Sequence, residues 1–273
     1  MASNPNSDFE RFRTGAEKYA SYLQTPEGRL RLDLTFANLQ DFLPPGGASL
    51  RALDLGCGTG AMAIRLAGLG FTVTGLDASQ EMLEIAQQQA REAGHSEKID
   101  FLLGDISQPA TLLRAESFDV VLCHNLLEFV DDPATVIRMA ARALRGPLGM
   151  ISILVRNRPG EVLKAALLNG NLAAADRNLT AEWGDESLYG GKVRLFEAKK
   201  LRAMVVAEPF TVVAERGVRV ISDYLAPTVS GTEEYAQVFE LERKLGWRPD
   251  FAAVARYSHF LARRSVGLAG DSQ

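Results

Sequence analysis

The 273-residue sequence predicts an α/β protein built on a mostly parallel sheet with helices on both faces. Three observations carry that expectation. Short apolar runs alternate with amphipathic stretches through the middle of the chain, the pattern of repeated strand–helix–strand units. A glycine-rich turn, Gly56-Cys-Gly-Thr-Gly60, sits where the first of these strands passes into its helix. Acidic or histidine residues recur at the carboxyl ends of successive expected strands: Asp54, Asp77, Asp105 and His124. Open parallel sheets bind ligands beyond those ends, where the strand order reverses, so the recurrence marks a site.

Taken in order, residues 9–43 read as helical, because Phe12, Tyr19, Tyr22, Leu30, Leu34 and Leu39 recur at helical spacing. Thr25 is placed to cap a second helix with Pro26 in its first turn, and Pro44-Pro-Gly-Gly47 ends this section. The expected elements are then strand 50–55, helix 60–69, strand 71–76, helix 79–94 opened by Ser79, and strand 98–103. Strand 118–123, a helix near 132–145 and strand 149–155 follow. From 156 to 192, Pro159-Gly160, Gly170, Gly184 and Gly190-Gly191 break the pattern into short helical pieces, which suits an insertion or lid. Helix 197–207, strand 210–217, a helical stretch at 232–246 and strand 256–263 close the chain.

Composition narrows the classes. With 47% apolar and 23% charged residues, the chain is of ordinary soluble, globular type. No apolar run approaches the ~18 residues of a membrane helix, and the polar start Met1-Ala-Ser-Asn-Pro-Asn-Ser-Asp8 lacks a secretion signal, so a cytoplasmic protein is expected. Cys57 and Cys123 are expected as free thiols, and the three scattered histidines give no metal-ligand spacing. Residues 51–150 carry 8 Lys/Arg against 13 Asp/Glu, whereas residues 151–202 carry 9 against 6. The second segment is therefore the one able to dock an anionic partner, unless it is simply a solvated charged face.

The glycine turn gives the chemistry. Gly56, Gly58 and Gly60 let the backbone turn sharply and bring its amides to a ligand. Asp54 precedes them, where a dinucleotide pyrophosphate would be repelled but an ammonium group would be welcome. Asp77, at the end of the next strand, is placed to accept both hydroxyls of a ribose. A ligand with an ammonium, a cationic centre, an adenosine and no phosphate is S-adenosylmethionine. The stretch Asp54-Leu-Gly-Cys-Gly-Thr-Gly60 resembles motif I of the class I methyltransferases, which implies a Rossmann-like, seven-stranded, mostly parallel sheet. Ala78 and Met82 follow the ribose acid, and Met82 suits either the adenine face or the helix core. Gly104-Asp105-Ile106 offers a carboxylate to the adenine amine and a backbone amide to a ring nitrogen. His124 reads as a base, a cofactor contact or a structural histidine; Glu128 either faces substrate or caps the helix begun at Asp131-Asp132-Pro133.

Over residues 9–263 the chain also resembles the bacterial tRNA 5-carboxymethoxyuridine methyltransferases. The resemblance lies in Gly28-Arg-Leu-Arg31, the core motifs, His124-Asn-Leu-Leu-Glu-Phe-Val130, Asn157, Gly170-Asn171 and Arg216-Gly-Val-Arg-Val-Ile-Ser-Asp-Tyr-Leu225. It continues in Glu240-Leu-Glu242 and Arg256-Tyr-Ser-His259. It implies that Arg31 meets the cofactor carboxylate, Gly56 and Cys57 line the methionyl part, Asp77 takes the ribose, and Asp105 and Ile106 take adenine, with His124 on the cofactor side; Gly58 of the same turn is also a cofactor-binding candidate. It implies one domain over 1–273: a helical lid at 9–43, a cofactor core at 48–155, an insert over the substrate at 156–196, and the rest of the sheet at 197–264. tRNA is then the partner and the wobble-uridine carboxylate the acceptor. Such a carboxylate is ionised at neutral pH and needs no base, only cations to hold it. Arg156, Arg194 and Arg219 are the candidates, with Asn157 beside them and Tyr224 or Tyr189 to stack on the base. The competing readings are a methyltransferase acting on a small phenol, quinone precursor or amine, which would need His124 or Glu128 as base, and a non-catalytic S-adenosylmethionine-binding module.

Overall fold

The computed structural model describes residues 5–44, 50–106, 115–186, 188–225 and 234–265, with side chains from residue 12 onward. Two helices open it, α1 (Pro5–Gln24) and α2 (Pro26–Gln40). Thr25 caps α2 as expected, its hydroxyl accepting the Gly28 amide at 3.2 Å. Gly28 allows the tight α1–α2 junction, because a Cβ there would lie 2.0 Å from the Tyr22 carbonyl oxygen. Of the proline–glycine stretch expected to end this section, residues 45–47 lie outside the described residues.

The strand–helix alternation follows with ends within a few residues of those expected: β1 (Arg51–Leu55), α3 (Ala61–Gly68), β2 (Thr72–Asp77), α4 (Gln80–Glu92), β3 (Ile99–Leu103), β4 (Val120–His124), α5 (Pro133–Ala143) and β5 (Met150–Arg156). Ser79 opens α4 by accepting the Met82 amide. The insert then folds as α6 (Arg158–Leu163), a π-helical turn at Lys164–Leu168, α7 (Leu172–Asn178) and the hairpin β6 (Trp183–Asp185) and β7 (Lys192–Arg194). The hairpin was not anticipated: three-residue strands are too short to show a period of two. The chain closes with α8 (Ala198–Val206), β8 (Phe210–Val218), α9 (Tyr235–Gly246), α10 (Pro249–Ala252) and β9 (Tyr257–Arg264).

The main sheet has seven strands in the order β3-β2-β1-β4-β5-β9-β8. β3, β2, β1, β4 and β5 run parallel, while β9 is antiparallel to both β5 and β8. The chain winds outward from β1 to β3, then restarts at β4 on the other side of β1. That reversal places the crevice of the sheet above the carboxyl ends of β1 and β4. Both faces are covered, so the central strands are apolar almost throughout; every residue of β5 is buried. On one face Leu53, Leu55, Val121 and Ile153 pack against Val136 and Ile137 of α5 and Leu201 and Val205 of α8. On the other, Ala52, Val73, Val120 and Leu122 pack with Leu39 of α2, Met62 and Leu66 of α3, and Ala90 of α4. Truncating any one of the fully buried leucines would cost about 2–5 kcal/mol. A third cluster, including Leu30, Leu34, Val218, Val238 and Tyr257, ties α2 to β8, α9 and β9, so the N-terminal helices are docked on the sheet.

Candidate functional site

A cavity of about 600 Å³ opens over the carboxyl ends of the strands. Its floor is the glycine turn. Gly56, Gly58 and Gly60 have φ of +67°, +54° and +75°, conformations that a side chain would strain. The Gly56 and Cys57 amides donate to the Leu76 carbonyl at 2.8 and 3.0 Å, which locks the turn onto β2. The Asp77 carboxylate is held from two sides, by the Gly58 amide at 2.8 Å and the Ser79 amide at 2.9 Å, and still lines the cavity. Ala78, Met82, Gly104, Asp105 and Ile106 continue that wall. Met82 is buried in α4 and also lines the cavity.

Asp54 and Cys57 lie beside this space, against a smaller one of about 50 Å³ that shares Tyr19, Arg31, Gly56, His124 and Asn125 with the main cavity. Burial, with the Asp77 charge nearby, raises the Asp54 carboxyl to a pKa of about 8. Two buried polar atoms at the same spot, Thr59 Oγ1 and His124 Nδ1, have no partner within the protein. Arg31 is buried among Tyr19, Tyr22 and Tyr257 and donates to the Tyr19 hydroxyl at 3.1 Å. A buried carboxylate without a cation, a ribose-type acid held by amides and a guanidinium at the same end fit the ammonium, adenosine and carboxylate of S-adenosylmethionine.

His124 belongs to a chain of buried hydrogen bonds. Its Nε2 hydrogen-bonds Ser152 Oγ at 2.8 Å, which hydrogen-bonds His259 Nε2 at 2.8 Å, and the Asn38 amide reaches His259 Nδ1 at 3.5 Å. Burial and then the Arg31 charge lower the His124 pKa to about 3, so the ring is neutral. Glu128 does not cap α5. Asp132 does, with Oδ1 accepting the Ala134 and Thr135 amides at 3.0 and 3.2 Å, because the N-cap acceptor must stand directly before the first turn. Glu128 is instead buried, its Oε1 accepting from Asn125 Nδ2 at 3.0 Å and from the Arg156 amide at 2.8 Å, while Oε2 has no partner. Burial raises its pKa.

The far half of the cavity is rich in charge. Arg156, Lys164, Arg219 and Arg256 line it together with Tyr257 and the carboxylates of Glu186 and Asp223. Burial alone would raise the Tyr257 hydroxyl, but Arg31, Arg156, Arg256 and Arg219 outweigh it and bring its pKa down to about 8. Arg219, with φ of +61°, donates to the Tyr22 hydroxyl at 3.0 Å and pairs with Asp223. The loop that carries it is clamped from behind: the fully buried Glu242 accepts the Val220, Ile221 and Ser222 amides at 2.6, 2.9 and 2.7 Å. Over the top, Tyr189 of the insert meets Phe12 of α1 at 5.1 Å between ring centres and Tyr19 at 5.8 Å, so α1 and the insert close on each other.

Arg156, Arg219 and Tyr189 thus reach the cavity as the sequence suggested, but three other candidates do not line it. Asn157 donates both amide hydrogens to the Ala253 and Ala255 carbonyls at 2.9 Å, holding the loop before β9. Tyr224 is half-buried in the turn Ser222–Tyr224, and Arg194 grips the Val130 carbonyl at 2.9 Å and stacks on Trp183. Conversely, sequence reasoning missed Lys164, Arg256, Tyr257, Glu161 and Glu186. Arg256-Tyr257 at the start of the last strand was the one available signal, since a buried strand rarely opens on a charged residue without use for it.

Comparison with known proteins agrees with this geometry. A model of the methyltransferase domain family matches residues 53–152. The solved structure of an S-adenosylmethionine-dependent methyltransferase from Mesorhizobium loti superposes with a TM-score of 0.59 at 22% identity, covering 85% of this chain and all of that one. A putative methyltransferase from Haloferax volcanii, solved with the Trm112 activator, gives 0.61 at 17% identity over 94% and 97% of the two chains. The chain carries an S-adenosylmethionine-dependent methyltransferase domain on the class I fold, and S-adenosylmethionine is its cofactor. Along its length it is similar to the tRNA 5-carboxymethoxyuridine methyltransferase of Escherichia coli K12, at 28% identity over 91% of this chain and 94% of that protein. A ubiquinone biosynthesis O-methyltransferase of Actinobacillus pleuropneumoniae is 40% identical, over 43% of this chain and 49% of that protein. Among the described residues no helix is long and apolar enough to cross a membrane.

Proposed function

We propose that the protein esterifies a carboxylate, and that its acceptor is 5-carboxymethoxyuridine at the wobble position of tRNA. The observation that carries this reading is the buried cationic wall around Tyr257, opposite the cofactor half of a cavity whose histidine is too acidic to serve as a base. A carboxylate needs cations rather than a base, and the similarity to the E. coli tRNA enzyme over nearly the whole chain supports the same acceptor. In this reading Asp54 meets the cofactor ammonium, Arg31 its carboxylate and Asp77 its ribose. Asp105 and the Ile106 amide meet adenine, Met82 lies on the adenine face, and Gly56, Cys57, Gly58, Ala78 and His124 complete the wall. Arg156 and Arg219 hold the acceptor carboxylate.

The cofactor supplies a methyl carbon activated by its bond to a sulfonium sulfur. The chain's own residues then have two tasks, to hold the acceptor oxygen in line with that carbon and to keep water out. Orientation of this kind lowers a barrier by as much as ~7–11 kcal/mol. The rings of Phe12, Tyr19 and Tyr189 cover the site and exclude water.

The test is transfer of labelled methyl from S-adenosylmethionine to tRNA from cells lacking the protein, followed by nucleoside analysis, with Asp77→Ala as the inactive control. Label on the wobble carboxymethoxyuridine is expected; unlabelled tRNA overturns the reading. A second reading, O-methylation of a phenolic quinone precursor, draws on the ubiquinone relative and on the unpartnered Glu128 Oε2 at the cavity wall as its base. Glu128→Gln retains the Oε1 contacts and separates the two. Carboxylate transfer should survive within about tenfold, whereas loss of a general base costs ~10²–10⁴-fold.

A further inference from the structure

Of the four cations in the acceptor half of the cavity, three are tied into the protein by carboxylates. Arg156 pairs with Glu161 at 3.2 Å and with Glu186. Arg256 pairs with Glu161 at 2.7 Å and approaches Asp223 at 3.7 Å. Arg219 pairs with Asp223. Glu186 also accepts the Leu188 amide at 2.7 Å. Lys164 is different. It stands three residues after Glu161 on the same helical segment, yet that carboxylate is already taken by two arginines. No carboxylate among the described residues lies within the 4.0 Å of an ion pair with it.

Lys164 is also aimed at the site. It begins the π-helical turn Lys164–Leu168, closed by the Asn169 amide donating to the Lys164 carbonyl at 3.1 Å, and both Lys164 and Leu168 line the cavity. Such turns are rare and gather at functional sites. Its ammonium is half-buried; that burial, and then the Arg256 charge, hold its pKa below the ordinary lysine value. A compact, strongly hydrated cation in a partly dry wall, its attraction to Glu161 shared with two arginines and outweighed by burial and the Arg256 charge, is costly unless a ligand supplies a further anion.

We infer that Lys164 receives an anionic oxygen group of the methyl acceptor and thereby makes the site selective for a negatively charged acceptor. The inference rests on the acceptor being anionic, as proposed above. Two groups of that acceptor have the required chemistry, the reacting carboxylate and a phosphodiester beside the modified nucleoside.

The experiment compares wild type, Lys164→Gln and Lys164→Arg on the free 5-carboxymethoxyuridine nucleoside and on tRNA. For Lys164→Gln the acceptor KM should rise ~tenfold or more, the scale of one lost charged contact, with the cofactor Kd unchanged. Lys164→Arg should restore most of it. A rise on both acceptors assigns the contact to the carboxylate, and a rise on tRNA alone assigns it to the phosphodiester. An unchanged KM on both overturns the inference. A second arm does not depend on the acceptor: the S-adenosylhomocysteine complex is titrated with acetate and with inorganic phosphate, followed by NMR. Saturable binding that weakens in Lys164→Gln is expected, and identical titrations of the two proteins overturn the inference. Wild-type protein that leaves tRNA unmethylated while retaining Lys164-dependent anion binding would discard the tRNA reading alone.

Discussion

Asp54→Asn should change how cofactor affinity depends on pH. In the folded chain burial raises the Asp54 carboxyl to a pKa of about 8, so near neutrality the cofactor-free protein carries it largely protonated. An ammonium bound against it needs the ionised form. Binding then releases a proton, and the apparent Kd scales inversely with the ionised fraction. With the carboxyl at about 8, affinity should tighten roughly 25-fold between pH 6 and 7.5. Asp54→Asn removes the titrating group, so its affinity should be weaker at pH 7.5 and flat across that interval. The same raised pKa means that the wild-type carboxyl favours the folded state most at low pH. That contribution is lost as pH rises through about 8, so Asp54→Asn without cofactor should be the more stable protein at pH 8.5. Calorimetric titration with S-adenosylhomocysteine at four pH values reads the affinity. A wild-type Kd that does not move, or an Asn variant with the wild-type slope, would refute the reasoning.

Two further outcomes follow from buried charge. Glu242→Gln replaces an oxygen that accepts a backbone amide by an NH₂ group that opposes it, so stability should fall by about 2–4 kcal/mol, with faster hydrogen exchange at residues 220–222; unchanged exchange there would contradict the clamp. His124, lowered to about 3, and His259, also lowered well below its ordinary value by burial and by His124, titrate near ~6.5 in the unfolded chain. As pH falls below ~6.5 the unfolded state gains protons that the folded state refuses, so each histidine removes about 1.4 kcal/mol of stability per pH unit. Urea midpoints of the Asp54→Asn protein from pH 6.5 to 5 should drop accordingly, and a constant midpoint would contradict the buried relay.

The cofactor half of the cavity was legible in the sequence because its parts are local. The glycine turn, Asp77 and Gly104-Asp105-Ile106 each lie where a strand ends, and strand ends are readable from apolar runs and turn residues. The acceptor half was legible only in part, because it is assembled from residues far apart: Arg156 at the end of β5 and Arg219 after β8 were named, whereas Lys164 in the π turn and Arg256 before β9 were not. Each is unremarkable alone, and only the sheet order brings them around Tyr257. Asn157 misled for the same reason. A polar residue at a strand end reads as a ligand contact, but its amide serves the carbonyls of Ala253 and Ala255, nearly a hundred residues onward. Ser152 gave no warning either; a serine in an otherwise apolar strand becomes meaningful only between His124 and His259.

The chemical nature of the transferred methyl group tests the central claim most directly. tRNA labelled by the protein from S-adenosylmethionine should be treated with mild alkali and the released radioactivity measured. An ester on a carboxylate gives up its label as methanol, and complete release is the expected result. Label that stays on the nucleoside, as a methyl ether or methylamine would, contradicts a site built to hold a carboxylate.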